Sequence, residues 1–159
     1  MNTLIKLVRI DNRLLHSTVA LNWNQFVSVN YTIVVDPTYN NDPFIESVMR
    51  LCLPKSISLK IFNVKQLMEF MEEESFSTRK IMVIFKDLAT AEEAVKLGFK
   101  PKEIQLPSPA SRIVIKKLSD YYNEEDLKRI QTIQNYGIKM YFQTAPLDTK
   151  EYNAFKRIQ

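Results

Sequence analysis

Leu4-Ile5-Lys6-Leu7-Val8-Arg9-Ile10-Asp11-Asn12-Arg13-Leu14-Leu15-His16 passes from an apolar run, through a short polar stretch, into a helical pattern. The run at 4–10 is long enough for one strand but is neither a membrane span nor a signal-peptide core. Tyr31-Thr32-Ile33-Val34-Val35-Asp36 behaves in the same way, and further short apolar runs lie at 57–62, 80–85, 103–106 and 138–143. Most are too uniformly apolar for a sheet wet on one face. Residues 112–115 read as a further short strand. Between the strands, helical patterns cover 17–28, 41–53, 64–74, 88–97, 124–136 and 148–158. Val64, Leu67, Met68 and Met71 recur at helical spacing, as do Ile130, Ile133 and Tyr136, which is the signature of core-facing stripes. Trp23 reads as core on the first helix. Strands alternating with helices over short connections imply right-handed crossovers. The expected fold is therefore α/β. It is a single domain over 1–159, with an open, mostly parallel sheet of about six to seven strands and helices on both faces.

Composition narrows the chemistry. The chain has 159 residues, 45% of them hydrophobic, with 22 basic against 18 acidic side chains and a net charge of +4. Its Lys/Arg doublets at 116–117, 128–129 and 156–157 are dispersed among acidic clusters, which argues against a nucleic-acid face. Cys52 is the one cysteine and, among Val48, Met49, Leu51 and Leu53, reads as a buried thiol. Only two glycines occur, so neither a Walker loop nor a dinucleotide fingerprint can be written. Gly98 and Gly137 each follow a helical stretch, where glycine ends a helix in the left-handed region. With one histidine and one cysteine, a metal site would need a carboxylate cluster, and no spaced Asp/Glu set supplies it. The chain reads as cytosolic and free of bound cofactor.

In open parallel sheets, ligands bind beyond the carboxyl ends of the strands. That edge is expected to carry the segment from Asp11 to His16, then Asp36-Pro37-Thr38-Tyr39, Lys86-Asp87 and Pro107-Ser108-Pro109. His16 is the sole histidine and stands among cations that suit phosphate. A triad with Ser17 and Asp11 would leave both arginines unused. Phosphoryl transfer uses every group: a neutral imidazole nitrogen as nucleophile, and Arg13 or Arg9 on the equatorial oxygens. Ser17 or Thr18 would cap the following helix, whose free amides favour an anion. Asp11 would fix an arginine or the imidazole tautomer. The plainer readings stand beside these: His16 as a structural residue, Arg9 as an outward ion-pairing side chain, Arg13 as a surface salt bridge, and Asp11-Asn12 as an Asx turn.

Arg9-Ile10-Asp11-Asn12-Arg13-Leu14-Leu15-His16, followed by Val19 and Trp23, closely resembles the opening of a known family. These are the IIB proteins of the mannose/fructose/sorbose class of the bacterial phosphoenolpyruvate-dependent sugar phosphotransferase system. A weaker resemblance runs through Ile33-Val34-Val35-Asp36 and through Gly137-Ile138-Lys139 to Gln143 and Pro146. It implies that His16 accepts a phosphoryl group from phosphorylated IIA and passes it to a sugar held by the membrane components IIC and IID. Arg13 would clamp the transferring group, with Asp11 in support. Asn12, Ser17, Thr18, Arg9, Asp36 and Ser108 would be further phosphate-binding or supporting residues. The resemblance also implies a cytoplasmic protein peripherally associated with its permease, and is compatible with a homo-oligomer. The Asp11-Asn12 pair looks like the N-acetylgalactosamine-type branch.

Two positions depart from the family pattern. Ser17 stands where members carry glycine, so a β-carbon crowds a phosphate approached by backbone amides, or a hydroxyl supplies a new donor. Pro107-Ser108-Pro109 replaces a glycine-containing turn with a stiffer one. These departures support the alternative reading, a catalytically weak or silent IIB-like regulatory or protein-binding module.

Overall fold

A computed structural model describes residues 5–13, 23, 27–73, 79–109 and 117–157. Among them, six strands form one sheet: β1 (Ile5–Ile10), β2 (Tyr31–Val35), β3 (Ser58–Phe62), β4 (Ile81–Phe85), β5 (Glu103–Leu106) and β6 (Lys139–Phe142). The order is β3-β2-β4-β1-β5-β6, and every neighbouring pair is parallel. β-Branched and aromatic residues, with Met82, fill β2 and β4, which are buried at every position, as a sheet covered on both faces requires. The further strand expected at 112–115 lies outside the described residues.

Four helices are described: α1 (Pro43–Arg50), α2 (Val64–Met71), α3 (Leu88–Lys96) and α4 (Glu124–Asn135). Each start is fixed by a side chain that accepts from an otherwise unpaired amide. Asp42 caps α1 with Pro43 at its head, Asn63 and Gln66 form a capping box on α2, and Asp87 and Asn123 cap α3 and α4. Gly98 and Gly137 follow α3 and α4 with φ of 111° and 84°, as expected of helix-ending glycines. The helix expected over 17–28 lies mostly outside the described residues, although Trp23 and Val27 within it are helical.

The tail differs from expectation. Instead of a helix over 148–158, a 3₁₀ segment covers Asn153–Arg157. Glu151 is drawn into an antiparallel bridge with Phe142, each amide donating to the other's carbonyl at 2.9 Å. Backbone committed to that bridge cannot also make helical bonds, so only the residues beyond it coil.

Alternation along the strands divides the core in two. Val8, Ile10, Ile33, Val83, Ile104 and Met140 pack with α2, α3 and α4, while Leu7, Val34, Met82 and Ile84 pack with Trp23, Met49 and Leu53. Cys52 is partly buried against the second cluster. No helix among the described residues is long and apolar enough to cross a membrane.

The order of the strands singles out β1. The chain leaves β1 toward β2, in one direction across the sheet, but leaves the flanking strands β4 and β5 in the other. With right-handed crossovers, opposed directions send the connections to opposite faces and open a crevice at the carboxyl end of β1. Asp11, Asn12 and Arg13 stand at that crevice.

Candidate functional site

Arg9 shares the Leu7 side of β1, and contrary to the expectation of an outward residue it is fully buried, at 0% exposure. The reason is its company. On neighbouring β5, in register with Arg9, stands Gln105, and beyond β6 stands Gln143, so this side of the sheet has a polar strip where the other has methyls. The Arg9 guanidinium donates to the Gln105 side-chain oxygen and, at 2.9 Å, to the Gln143 carbonyl. Its Nε meets Asp11 Oδ2 at 3.1 Å, and its Cζ lies 5.5 Å from the Trp23 ring centre. A buried charge survives only when paired and hydrogen-bonded in this way.

Asp11 is the hub. Its amide donates to the Phe85 carbonyl at 2.9 Å, anchoring the turn to β4, and the residue is 2% exposed. Oδ1 accepts from the Arg13 amide at 3.0 Å, an Asx turn, and also from Arg13 Nε at 3.0 Å. Oδ2 accepts from Arg13 Nη2 at 2.9 Å. The Arg13 pair is thus bidentate and side-on, leaving Nη1 with no hydrogen bond among the described residues. Burial pushes the Asp11 carboxyl upward, but hydrogen bonds from Arg13 and the two arginine charges outweigh it and hold it below the ordinary 3.8. Arg9 is shifted down by burial, against the pull of Asp11, while the Asp11 hydrogen bond shifts Arg13 up. One carboxylate between two guanidiniums leaves the cluster with a surplus positive charge, at a place where the field is poorly screened.

The strip continues past Arg9. Gln105 Nε2 donates to Gln143 Oε1 at 3.0 Å, and Gln143 Nε2 donates to the carbonyls of Pro146 at 3.3 Å and Asp148 at 2.9 Å. The Ser108 amide donates to Thr144 Oγ1 at 2.9 Å, tying the proline-rich turn to the loop after β6. Trp23 Nε1 donates to the Thr144 carbonyl at 3.3 Å. Of the residues expected at the site, Arg9, Asp11 and Arg13 are brought into one network, and Ser108 joins its outer edge. Asn12 is exposed beside it.

Asp36 stands apart. It is two strands from β1, roughly 10 Å across the sheet, and belongs to a separate cluster. There it accepts from the Thr38 amide at 2.8 Å and lies 3.9 Å from Lys86 Nζ. His16, Ser17 and Thr18 lie outside the described residues. Gln105, Gln143 and Thr144 were not expected at the site. A glutamine in the middle of an apolar strand, as at Gln105, was the signal that could have disclosed them.

The geometry offers a guanidinium held side-on by a buried carboxylate, with its far edge unbonded among the described residues, in the crevice where an open parallel sheet binds ligands. Such an arrangement suits a phosphoryl group. The family described as "PTS system sorbose subfamily IIB component" matches residues 5–157. The N-acetylgalactosamine-specific phosphotransferase enzyme IIB component 1 of Escherichia coli (strain K12) is 25% identical over 150 residues, covering 92% of this chain and 94% of that protein. The mannose-specific EIIAB component of the same strain is 22% identical over 92% of this chain, which spans 46% of that longer protein. The crystal structure of the IIBSor domain of the sorbose permease from Klebsiella pneumoniae superposes with a TM-score of 0.80, at 18% identity over 96% of this chain and 94% of that one. With an Arg-Asp-Arg cluster at the carboxyl end of β1 and a family match over nearly its whole length, this chain belongs to the sorbose subfamily of phosphotransferase-system IIB components.

Proposed function

We propose that this IIB component carries a phosphoryl group on His16, taking it from phosphorylated IIA and giving it to a sugar held by the membrane components IIC and IID. The observation that carries the reading is Arg13, three positions before His16 in the chain, clamped side-on to Asp11 with its Nη1 unbonded among the described residues. In the first step a neutral imidazole nitrogen of His16 attacks phosphorus, and the bond from phosphorus to IIA breaks. In the second, a sugar hydroxyl attacks, the phosphorus–nitrogen bond to His16 breaks, and the hydroxyl proton ends on the departing imidazole, restoring its neutral form. Both transition states spread charge over three equatorial oxygens, which a preorganised guanidinium stabilises without moving. This reading needs no bound cofactor. Similarity to the N-acetylgalactosamine-specific component supports an amino sugar of that type as the final acceptor. The protein would work in the cytoplasm, peripherally attached to its permease.

Incubation with phosphoenolpyruvate, the general phosphotransferase proteins and the cognate IIA is expected to label the chain with acid-labile, alkali-stable phosphate. A His16→Asn variant is expected to take up none. Wild-type protein that stays unlabelled beside labelled IIA would remove the reading and favour a silent, partner-binding role.

A further inference from the structure

The buried strip beyond Arg9 has a direction. At its far end, the carbonyls of Pro146 and Asp148 can only accept, so the Gln143 side chain must turn its NH₂ toward them. Its oxygen is then left to accept from Gln105 Nε2, which obliges the Gln105 oxygen to face Arg9. Arg9, with no acceptor of its own, passes the sequence on to Asp11, and Asp11 passes it to Arg13. Both amides are therefore held in one orientation each, with Arg9 donating to Gln105 on one side and to Asp11 on the other, and Asp11 accepting from both arginines. Neither amide can flip without setting like groups against each other in a place closed to water.

We infer that Gln105 and Gln143 are positioning residues for phosphoryl transfer, setting the attitude of Arg13 through Arg9 and Asp11. This rests on the proposed role of Arg13 as phosphoryl clamp. Arg13 is itself half-exposed, with 43% of its side chain in solvent, and among the described residues its side chain is held by Asp11. Asp11 in turn is shared with Arg9, so an Arg9 that loses the Gln105 oxygen keeps the backbone carbonyls of Gln143 and Thr144 on that side but is no longer held at β5, and it is free to shift the carboxylate toward itself. The Arg13 fork would then be misaligned while keeping its charge, a loss felt in the transition state more than in docking of IIA.

The test is a double-mutant cycle on the rate of transfer from phosphorylated IIA, with Gln105→Met preserving volume and removing the hydrogen bonds to Arg9 and Gln143. In the wild-type background this variant is expected to lower kcat about tenfold, the size of one lost oriented hydrogen bond, with KM for phosphorylated IIA within about twofold. In an Arg13→Ala background the same change is expected to cost less than about twofold, since the group it positions is gone. Gln143→Met, one link further out, is expected to give the same pattern and serves if Gln105→Met does not fold. Equal costs in the two backgrounds, or unchanged kcat in Gln105→Met, would overturn the inference while leaving the phosphocarrier reading intact. A wild type that takes no label would overturn both.

Discussion

Arg13 and Asp11 illustrate how differently two charges of one ion pair behave. Arg13→Lys keeps the charge but loses the planar fork that meets both Asp11 oxygens. Transfer from phosphorylated IIA is expected to fall about tenfold or more in rapid-quench labelling, and a near-normal rate would mean that the fork is not used. Asp11→Asn acts on the fold instead. It leaves Arg9 buried without a counter-charge, and urea denaturation at neutral pH is expected to show a loss of about 3–5 kcal/mol. Because the folded-state value of Asp11 lies below its unfolded value, its contribution is complete above the ordinary carboxylate range. The contribution disappears as pH falls through the depressed value. The acid limb of a stability profile should therefore be steep in the wild type and flatter in Asp11→Asn. The sequence placed both residues at the site, yet misjudged Arg9, because a lone strand does not reveal that its neighbour in the sheet offers an amide in place of a methyl.

At the scale of elements, apolar spacing and the helix-ending glycines made the helices legible, and the structure adds Asp42, Asp87 and Asn123 as caps at the starts that local chemistry demands. Asp87 is expected to matter most plainly: its carboxylate accepts from the Thr90 amide at 2.8 Å and from the Thr90 hydroxyl at 2.6 Å. Asp87→Ala should cost about 1 kcal/mol in urea unfolding, with the transfer rate unchanged because α3 lies on the sheet face away from Arg9. The six described strands were readable as short, mostly apolar runs between helical patterns. The tail was not, for the pull of Glu151 into pairing with Phe142 depends on where β6 lies, and no residue within 148–158 records that.

For the whole molecule, the two faces of the sheet divide the work. One holds the larger apolar core under α2, α3 and α4, and the other carries the polar strip that reaches the crevice. Two phenols packed into the core, the partly buried Tyr122 and the buried Tyr141, weaken the fold at alkaline pH. Burial pushes Tyr122 up to about 12, with Asp126 adding to the shift, and burial likewise raises Tyr141. Above pH 10 the unfolded chain releases these protons and the folded one retains them, so stability falls as pH rises through that range. Chemical denaturation at pH 8, 10 and 11 is expected to show a progressive drop, and Tyr122→Phe should blunt it.

The bridge between Phe142 and Glu151 also bears on how this protein keeps to itself. An end strand offers its free amides and carbonyls to any passing chain, which is how folded sheets recruit one another into aggregates. Here Glu151 of the protein's own tail pairs with Phe142, the last residue of β6, while the opposite end strand, β3, turns Ser58 and Lys60 outward. A chain cut before Glu151 would uncover the β6 rim, and light scattering of concentrated samples should register its association well below the temperature at which the intact protein unfolds.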